Sequence, residues 1–220
     1  MNDTASDIEK SPEQVNSRQA LSRLLNDMIG FPERLAEISE TIENTFGQSR
    51  AVLVLDMSGF SRTTQQYGII SFLLMIHQMQ MICRPCIEEH NGIVIKGEAD
   101  NLFCLFDTVQ DAVKASREII TRLNAVNMIL PADRRLYVAF GIGYGKILNI
   151  GNEDIFGDEM NLACKLGEDI AEREEILLTP AARAEINGSG IAMREGAISI
   201  SGIHLNYYYV TSSSSNSDKA

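Results

Sequence analysis

Asp56 closes an apolar, β-branched stretch at 51–56 (AVLVLD), and Asp100 falls 44 residues later, in the bend of GIVIKGEADNLFCLF (92–106). Two aspartates at strand ends, with no third protein ligand evident, suit Mg²⁺. That ion keeps several waters and completes its octahedron with phosphate oxygens. Two such ions about 3.5–4 Å apart would activate an attacking oxygen and hold a leaving pyrophosphate. A lone aspartate at a strand end is most often a turn or cap residue, so the weight lies on the pair. Directly after Asp56, Met57-Ser58-Gly59-Phe60-Ser61 reads as a turn entering a helix. Backbone N–H groups there can take a phosphate without a basic side chain, and Gly59 lets the backbone come close.

The elements that must position these residues follow from the hydrophobic pattern. Residues 51–56 read as a buried strand and 65–89 as a long, mostly apolar helix that Pro85 should kink or end. Asn91-Gly92 signals a turn into the hairpin at 92–106. A helix over 108–126 carries Val109, Ala112, Ala115, Ile119 and Leu123 on one stripe. The stretch 136–150 (LYVAFGIGYGKILNI) reads as a second strand pair bending near residues 143–145. A helix at 158–173, a short strand at 176–178, a helix at 180–186 and two closing strands (AISIS and NYYYV, an aromatic-rich edge) complete the chain. The order from 51 to 150 is β-α-β-β-α-β, the split-βαβ arrangement. The expected fold is therefore α+β: a ferredoxin-like βαββαβ core with two helices on one sheet face, extra C-terminal helices and strands, and a short helical segment in front. In that sheet the first strand neighbours the hairpin, so both carboxylates converge on one edge.

The expected division is a disordered tail at 1–11, a helical segment at 12–47, one domain over 50–210 and a Ser-rich disordered tail at 211–220. In the helical segment Leu21, Leu24, Leu25 and Met28 recur at helical spacing. Gly30-Phe31-Pro32 then breaks the run, and Leu35, Ile38, Ile42 and Phe46 form a second stripe. The pair reads as a packing or dimerising unit, and as a surface through which a regulatory protein could act.

The chain has 220 residues, 45% hydrophobic and 22% charged, the composition of a soluble globular domain. Its net charge of −11 argues against nucleic acid or an anionic membrane as partner, because no basic stripe displaces counterions. The longest apolar run lies within 68–76, far short of the roughly 18 residues a membrane span needs. The acidic, polar N-terminus does not read as a secretory signal, and a cytoplasmic location is expected. Cys83 and Cys86 form a lone CxxC, while Cys104 and Cys164 read as reduced thiols. His77, His90 and His204 show no ligand spacing, and Met75, Met79 and Met81 read as core.

Four motifs in order resemble the class III nucleotidyl cyclases, the adenylate and guanylate cyclases, over about 52–210. LVLDMSGFS (53–61) resembles the family's first metal motif, and IVIKGEADNLFCLF (93–106) its Lys-x-x-x-Asp hairpin. VAFGIGYGKIL (138–148) resembles its Gly-Ile-x-x-Gly strand, and DIFGDEMNLACKL (154–166) its Asn-x-Ala-x-Arg helix motif. The resemblance implies that Asp56 and Asp100 hold two Mg²⁺ or Mn²⁺ ions, with the Met57 carbonyl as an extra ligand. It implies that Lys96 donates to the adenine ring, Asp154 accepts from its amine, Asn161 fixes the ribose and Lys165 contacts the triphosphate. Gly59, Phe60, Ser61 and Arg62 would lie along the phosphates. Guanylate cyclases typically carry Glu and Cys or Ser where Lys96 and Asp154 stand, which favours ATP and cyclic AMP. It further implies a homodimer, one copy supplying Asp56 and Asp100 and the other Lys96, Asp154, Asn161 and Lys165.

The departures concern positive charge. The family's transition-state arginine is Lys165 here, a swap that loses the planar fork. A second arginine is Ala139, and a phosphate-binding lysine is missing near Ile203 and His204, with Arg62 as a candidate substitute. Ala99 stands where Gly is usual. Each lost donor costs on the order of 10²–10³ in rate. Two alternatives therefore stand beside an ATP cyclase: a catalytically silent nucleotide-binding signalling module, and a cyclase for GTP or a pyrimidine nucleotide. A diguanylate cyclase is set aside, since residues 97–100 read Gly-Glu-Ala-Asp.

Overall fold

The computed structural model describes residues 16–58, 60–200 and 203–211; for 60–67, 200 and 203–204 the description covers the backbone alone. The tail at 1–11 and nearly all of that at 211–220 lie outside the described residues. Helices α1 (Arg18–Gly30) and α2 (Leu35–Phe46) come first, separated at Phe31-Pro32. The chain then runs through β1 (Gly47–Met57), α3 (Phe60–Glu89), β2 (Ile93–Glu98), β3 (Asn101–Phe106), α4 (Val109–Asn127) and β4 (Val138–Ile150). It ends with β5 (Asp154–Phe156), α5 (Asp158–Cys164), β6 (Ile176–Leu178), α6 (Pro180–Glu185), β7 (Met193–Ile200) and β8 (Ile203–Val210).

The strands make one sheet in the order β2-β3-β1-β4-β6-β8-β7, with β5 paired to β4. Its first four strands have the ferredoxin-like order, and the α+β architecture is the expected one. Odd positions of β1 (Leu53, Leu55, Met57) pack with Met79, Cys83, Ile87, Val113 and Ile119 under α3 and α4. Even positions (Val52, Val54) pack with Ile95, Phe103, Ile155 and Ala163 under α5. β1 is central and buried on both faces, which is why it reads as a continuous apolar run. A third cluster of Ala20, Ile38, Ile42, Phe46 and Ile150 fastens α1 and α2 to the far end of β4.

Four details differ from the sequence reading. Residues 138–150 form one straight strand paired along its length with β1, not a bent pair. Gly141 and Gly143 serve instead to bring α5 close. A Cβ at Gly141 would collide with the Ala163 carbonyl, and one at Gly143 with the Glu159 carbonyl. α3 breaks at Gly68 (φ 78°, ψ 171°) rather than at Pro85. Pro85 is exposed, where water can satisfy the carbonyl its missing N–H leaves free. The predicted helix at 158–173 is α5 followed by a π-helical turn, Lys165–Ile170. The tyrosine strand β8 is interior, and β7 is the edge.

α3 also extends the hydropathy reading. Its Gly68–Glu89 portion is long and apolar enough by composition to span a membrane. One side of it, however, is core: Met75, Ile76, Met79, Cys83, Cys86 and Ile87 are buried. The other side exposes Ile69, Ile70, Leu73, Leu74 and Met81, so Met81 is not the core residue expected. All four cysteines are free thiols.

Candidate functional site

The site lies on the sheet face that α5 covers. Asp56 continues the row Val52, Val54 and stands in register with Asn101 on β3 and Ala139 on β4. The Met57 N–H donates to the Asp100 carbonyl at 3.3 Å, stitching the β2–β3 bend to the end of β1. Met57 itself is the last residue of β1 with its side chain in the core. The bend is tight, and Ala99 adopts φ 50°, the left-handed region.

Burial, then the neighbouring charges of Asp100 and Glu168, push the Asp56 carboxyl up to about 7. Glu168, in the π-helical turn, accepts a hydrogen bond from Asn101 Nδ2 at 3.0 Å. Burial and the charges of Asp169, Asp100 and Glu98 raise its own carboxyl. Sequence reasoning missed Glu168, because a 44-residue pairing of strand-end aspartates does not point to a residue beyond α5. Its signal was the acidic pair Glu168-Asp169 following Lys165.

This edge fits a divalent cation by its donor chemistry. A carboxylate disfavoured by burial and like charge gains most from an added cation, and two more oxygens, Oδ1 of Asn101 (in register with Asp56) and Oγ of Ser58, lie at this end of the sheet. Both are buried without a hydrogen-bond partner among the described residues. Among the described residues no three His, Cys, Asp or Glu side chains form a complete metal cage. A site finished by waters and phosphate needs none.

Lys96 and Asp154 are brought together. A β-bulge between Val94 and Lys96 re-aims β2, and the Lys96 ammonium lies 4.9 Å from the Phe103 ring centroid. Its Nζ is 2.9 Å from Asp154 Oδ1 and 2.7 Å from Glu98 Oε1. Burial pulls the ammonium down, but hydrogen bonds to Glu98 and Asp154 outweigh it and leave Lys96 raised. Asp154, the first residue of β5, also accepts the Ile155 N–H at 3.0 Å and reaches Arg18 of α1 at 3.3 Å.

Asn161 is exposed on α5, and Lys165 follows one turn later at the start of the π-helical turn. Lys165 Nζ lies 3.1 Å from Asp169 Oδ2. Glu159 anchors this helix, accepting the Thr179 hydroxyl at 2.6 Å and the Tyr144 N–H at 3.1 Å. Gly59 lies outside the described residues. Phe60, Ser61 and Arg62 form the first turn of α3, with their side chains outside the description, as are those of Ile203 and His204.

No protein-family model matches the chain. A protein named "Putative adenylate cyclase 3" of Rhizobium meliloti (strain 1021) is 25% identical over 138 residues, 63% of this chain. The match spans only 23% of that relative's length. Among solved structures, the catalytic core of a rhodopsin-guanylyl cyclase with converted specificity, in complex with ATPαS, superposes with a TM-score of 0.64. It is 13% identical, over 75% of this chain and 98% of that one. An adenylate/guanylate cyclase/hydrolase from Silicibacter pomeroyi gives a TM-score of 0.63 at 24% identity, over 76% of this chain and 98% of that one. The chain carries the fold of the class III nucleotidyl cyclase catalytic domains.

Proposed function

We propose that the chain is a nucleotidyl cyclase that converts ATP to cyclic AMP and pyrophosphate at a homodimer interface. The observation that carries this reading is the Lys96–Asp154 pair on the same sheet face as the Asp56–Asp100 edge. A donor beside an acceptor matches the ring nitrogen and amine of adenine, whose amine donates. Asp56 and Asp100, with the Met57 carbonyl, would hold Mg²⁺ or Mn²⁺, which supplies charge neutralisation at the phosphates when bound. Asn161 orients the ribose so that its 3′-oxygen lies in line with the α-phosphorus. That hydroxyl oxygen gives up its proton to solvent and bonds to phosphorus as the bond to the pyrophosphate oxygen breaks, the electron pair leaving with pyrophosphate. Lys165 meets the negative charge that gathers on the phosphates, while backbone N–H groups of the first turn of α3, at Phe60, Ser61 and Arg62, would line their path.

One copy would supply Asp56 and Asp100, and a second Lys96, Asp154, Asn161 and Lys165. The apolar row Ile69, Ile70, Leu73 and Leu74 on α3, with Ile70 75% exposed, is a surface a second copy would cover. Asp56→Ala or Asp100→Ala should abolish pyrophosphate release from a folded dimer, and retained turnover in either variant would refute the assignment.

One observation favours a second reading, a nucleotide-binding module that no longer turns over. Lys165 is held by Asp169, and the place of the second arginine is the buried Ala139 beside Asp56. A single lysine and aspartate can also be set against the edges of GTP or a pyrimidine nucleotide, which keeps the mechanism and changes the substrate.

A further inference from the structure

We infer that Arg18, carried on α1, competes with the nucleotide base for Asp154, so that docking of the N-terminal helix and binding of the base oppose one another. The inference rests on the reading of Lys96 and Asp154 as the base-binding pair. Asn16 seats α1 on the turn between β4 and β5. Its Nδ2 donates to the Asn149 carbonyl at 2.8 Å, and its Oδ1 accepts the Gly151 N–H at 2.7 Å. Ser17 caps the helix, its hydroxyl accepting from the Ala20 N–H. Leu21 and Leu24 pack into the cluster around Ile150. Seated in this way, Arg18 reaches across to Asp154 Oδ2.

The two oxygens of Asp154 are not equivalent. Oδ1 already takes the Lys96 ammonium and the Ile155 N–H. Oδ2 takes Arg18 alone among the described residues, at 3.3 Å. A base amine approaching Asp154 must therefore use Oδ2 and meet Arg18 there. Exposure decides which partner yields: the Arg18 side chain is 66% exposed and that of Asp154 16%. Arg18 can return to water, while Asp154 stays beside Lys96. By reciprocity, nucleotide must loosen α1 as much as a docked α1 weakens nucleotide. An exposed ion pair is weak, so the coupling is about two- to fivefold in affinity.

Wild type, Arg18→Ala and Asn16→Ala would be titrated with an ATP analogue that cannot be cyclised, in Mn²⁺. Amide exchange of residues 18–30 would be followed with and without it. Both variants should bind the analogue about two- to fivefold more tightly than wild type, and nucleotide should speed exchange in wild-type α1. Equal affinity in all three proteins overturns the inference. Weaker binding in the variants also overturns it, since Arg18 would then be orienting Asp154. Absence of binding in three folded proteins overturns the base-pair reading itself, and the inference with it.

Discussion

Lys96 on β2 and Asp154 on β5 are 58 residues apart in sequence and 2.9 Å apart in space, Nζ to Oδ1. The pair places a donor and an acceptor side by side in a half-buried position, the arrangement on which the proposed base site rests. Asp154→Ala should raise the KM for ATP about tenfold, the worth of one charge-assisted hydrogen bond, and change kcat less. Steady-state kinetics with ATP and GTP in parallel checks this. An equal loss for both nucleotides would remove Asp154 from base recognition.

Asp56 carries its pH dependence openly. Its folded carboxyl titrates near 7, against about 3.9 in an unfolded chain. Between those values the folded state holds a proton that the unfolded state has lost. Its contribution to stability is therefore greatest at low pH, and declines as pH climbs from about 4 through 7. Asp56→Asn should flatten this slope. Discounted for the water on its open side, the variant should melt about 2–4 °C above wild type at pH 8. Mn²⁺ should raise the melting temperature of wild type and leave the variant unmoved. Thermal melts across pH 5–8, with and without Mn²⁺, measure both effects.

Lys165 is paired with Asp169 at 3.1 Å and partly exposed. In the proposed mechanism a triphosphate would draw it away. Asp169→Asn should raise kcat/KM about two- to fivefold, the scale of an exposed ion pair. Lys165→Ala should lower kcat by about 10²–10³. Lys165→Arg should raise it, because the planar guanidinium can grip phosphate with two parallel bonds. A loss of rate in Asp169→Asn would mean that Asp169 orients the lysine.

Gly141 is where α5 rests on the sheet, its missing Cβ leaving room for the Ala163 carbonyl. Gly141→Val should lift the helix that carries Asn161, cost about 2–3 kcal/mol, and remove turnover with nucleotide affinity. Denaturant unfolding and nucleotide titration test both consequences.

Ala99 occupies the left-handed region at φ 50° in the bend that holds Asp100. Glycine would relieve about 1–2 kcal/mol of backbone strain and return part of it through the freer unfolded chain. Ala99→Gly should therefore raise the unfolding free energy by a net of about 0.5 kcal/mol, read as a higher denaturation midpoint at an unchanged m value.

The parts of this fold legible in sequence were those with strong local patterns. β1 reads as a continuous apolar run because both its faces are covered, and the stripe from Val109 to Leu123 matches α4. The break at Phe31-Pro32 carries residues that leave few other choices. The features that differ from the sequence reading depend on tertiary partners. The glycines at 141 and 143 look like a bend until α5 is placed on them, and only the exposed setting of Pro85 lets α3 continue through it. Asp56, Asp100, Lys96 and Asp154 stand out by motif, and the sheet brings them to one face. Glu168 and Arg18 do not: Glu168 falls just past the motif that ends at Lys165-Leu166, and Arg18 reaches Asp154 through the packing of α1, which carries no motif of its own.

Cyclic nucleotide formation is measured by incubating the full chain with Mn²⁺ or Mg²⁺ and each of the four ribonucleoside triphosphates. Products would be separated by chromatography and identified by mass. Cyclic AMP with an equimolar amount of pyrophosphate, formed from ATP in preference to the other three, is the predicted result. A folded, nucleotide-binding protein that yields no cyclic product from any of the four would contradict it.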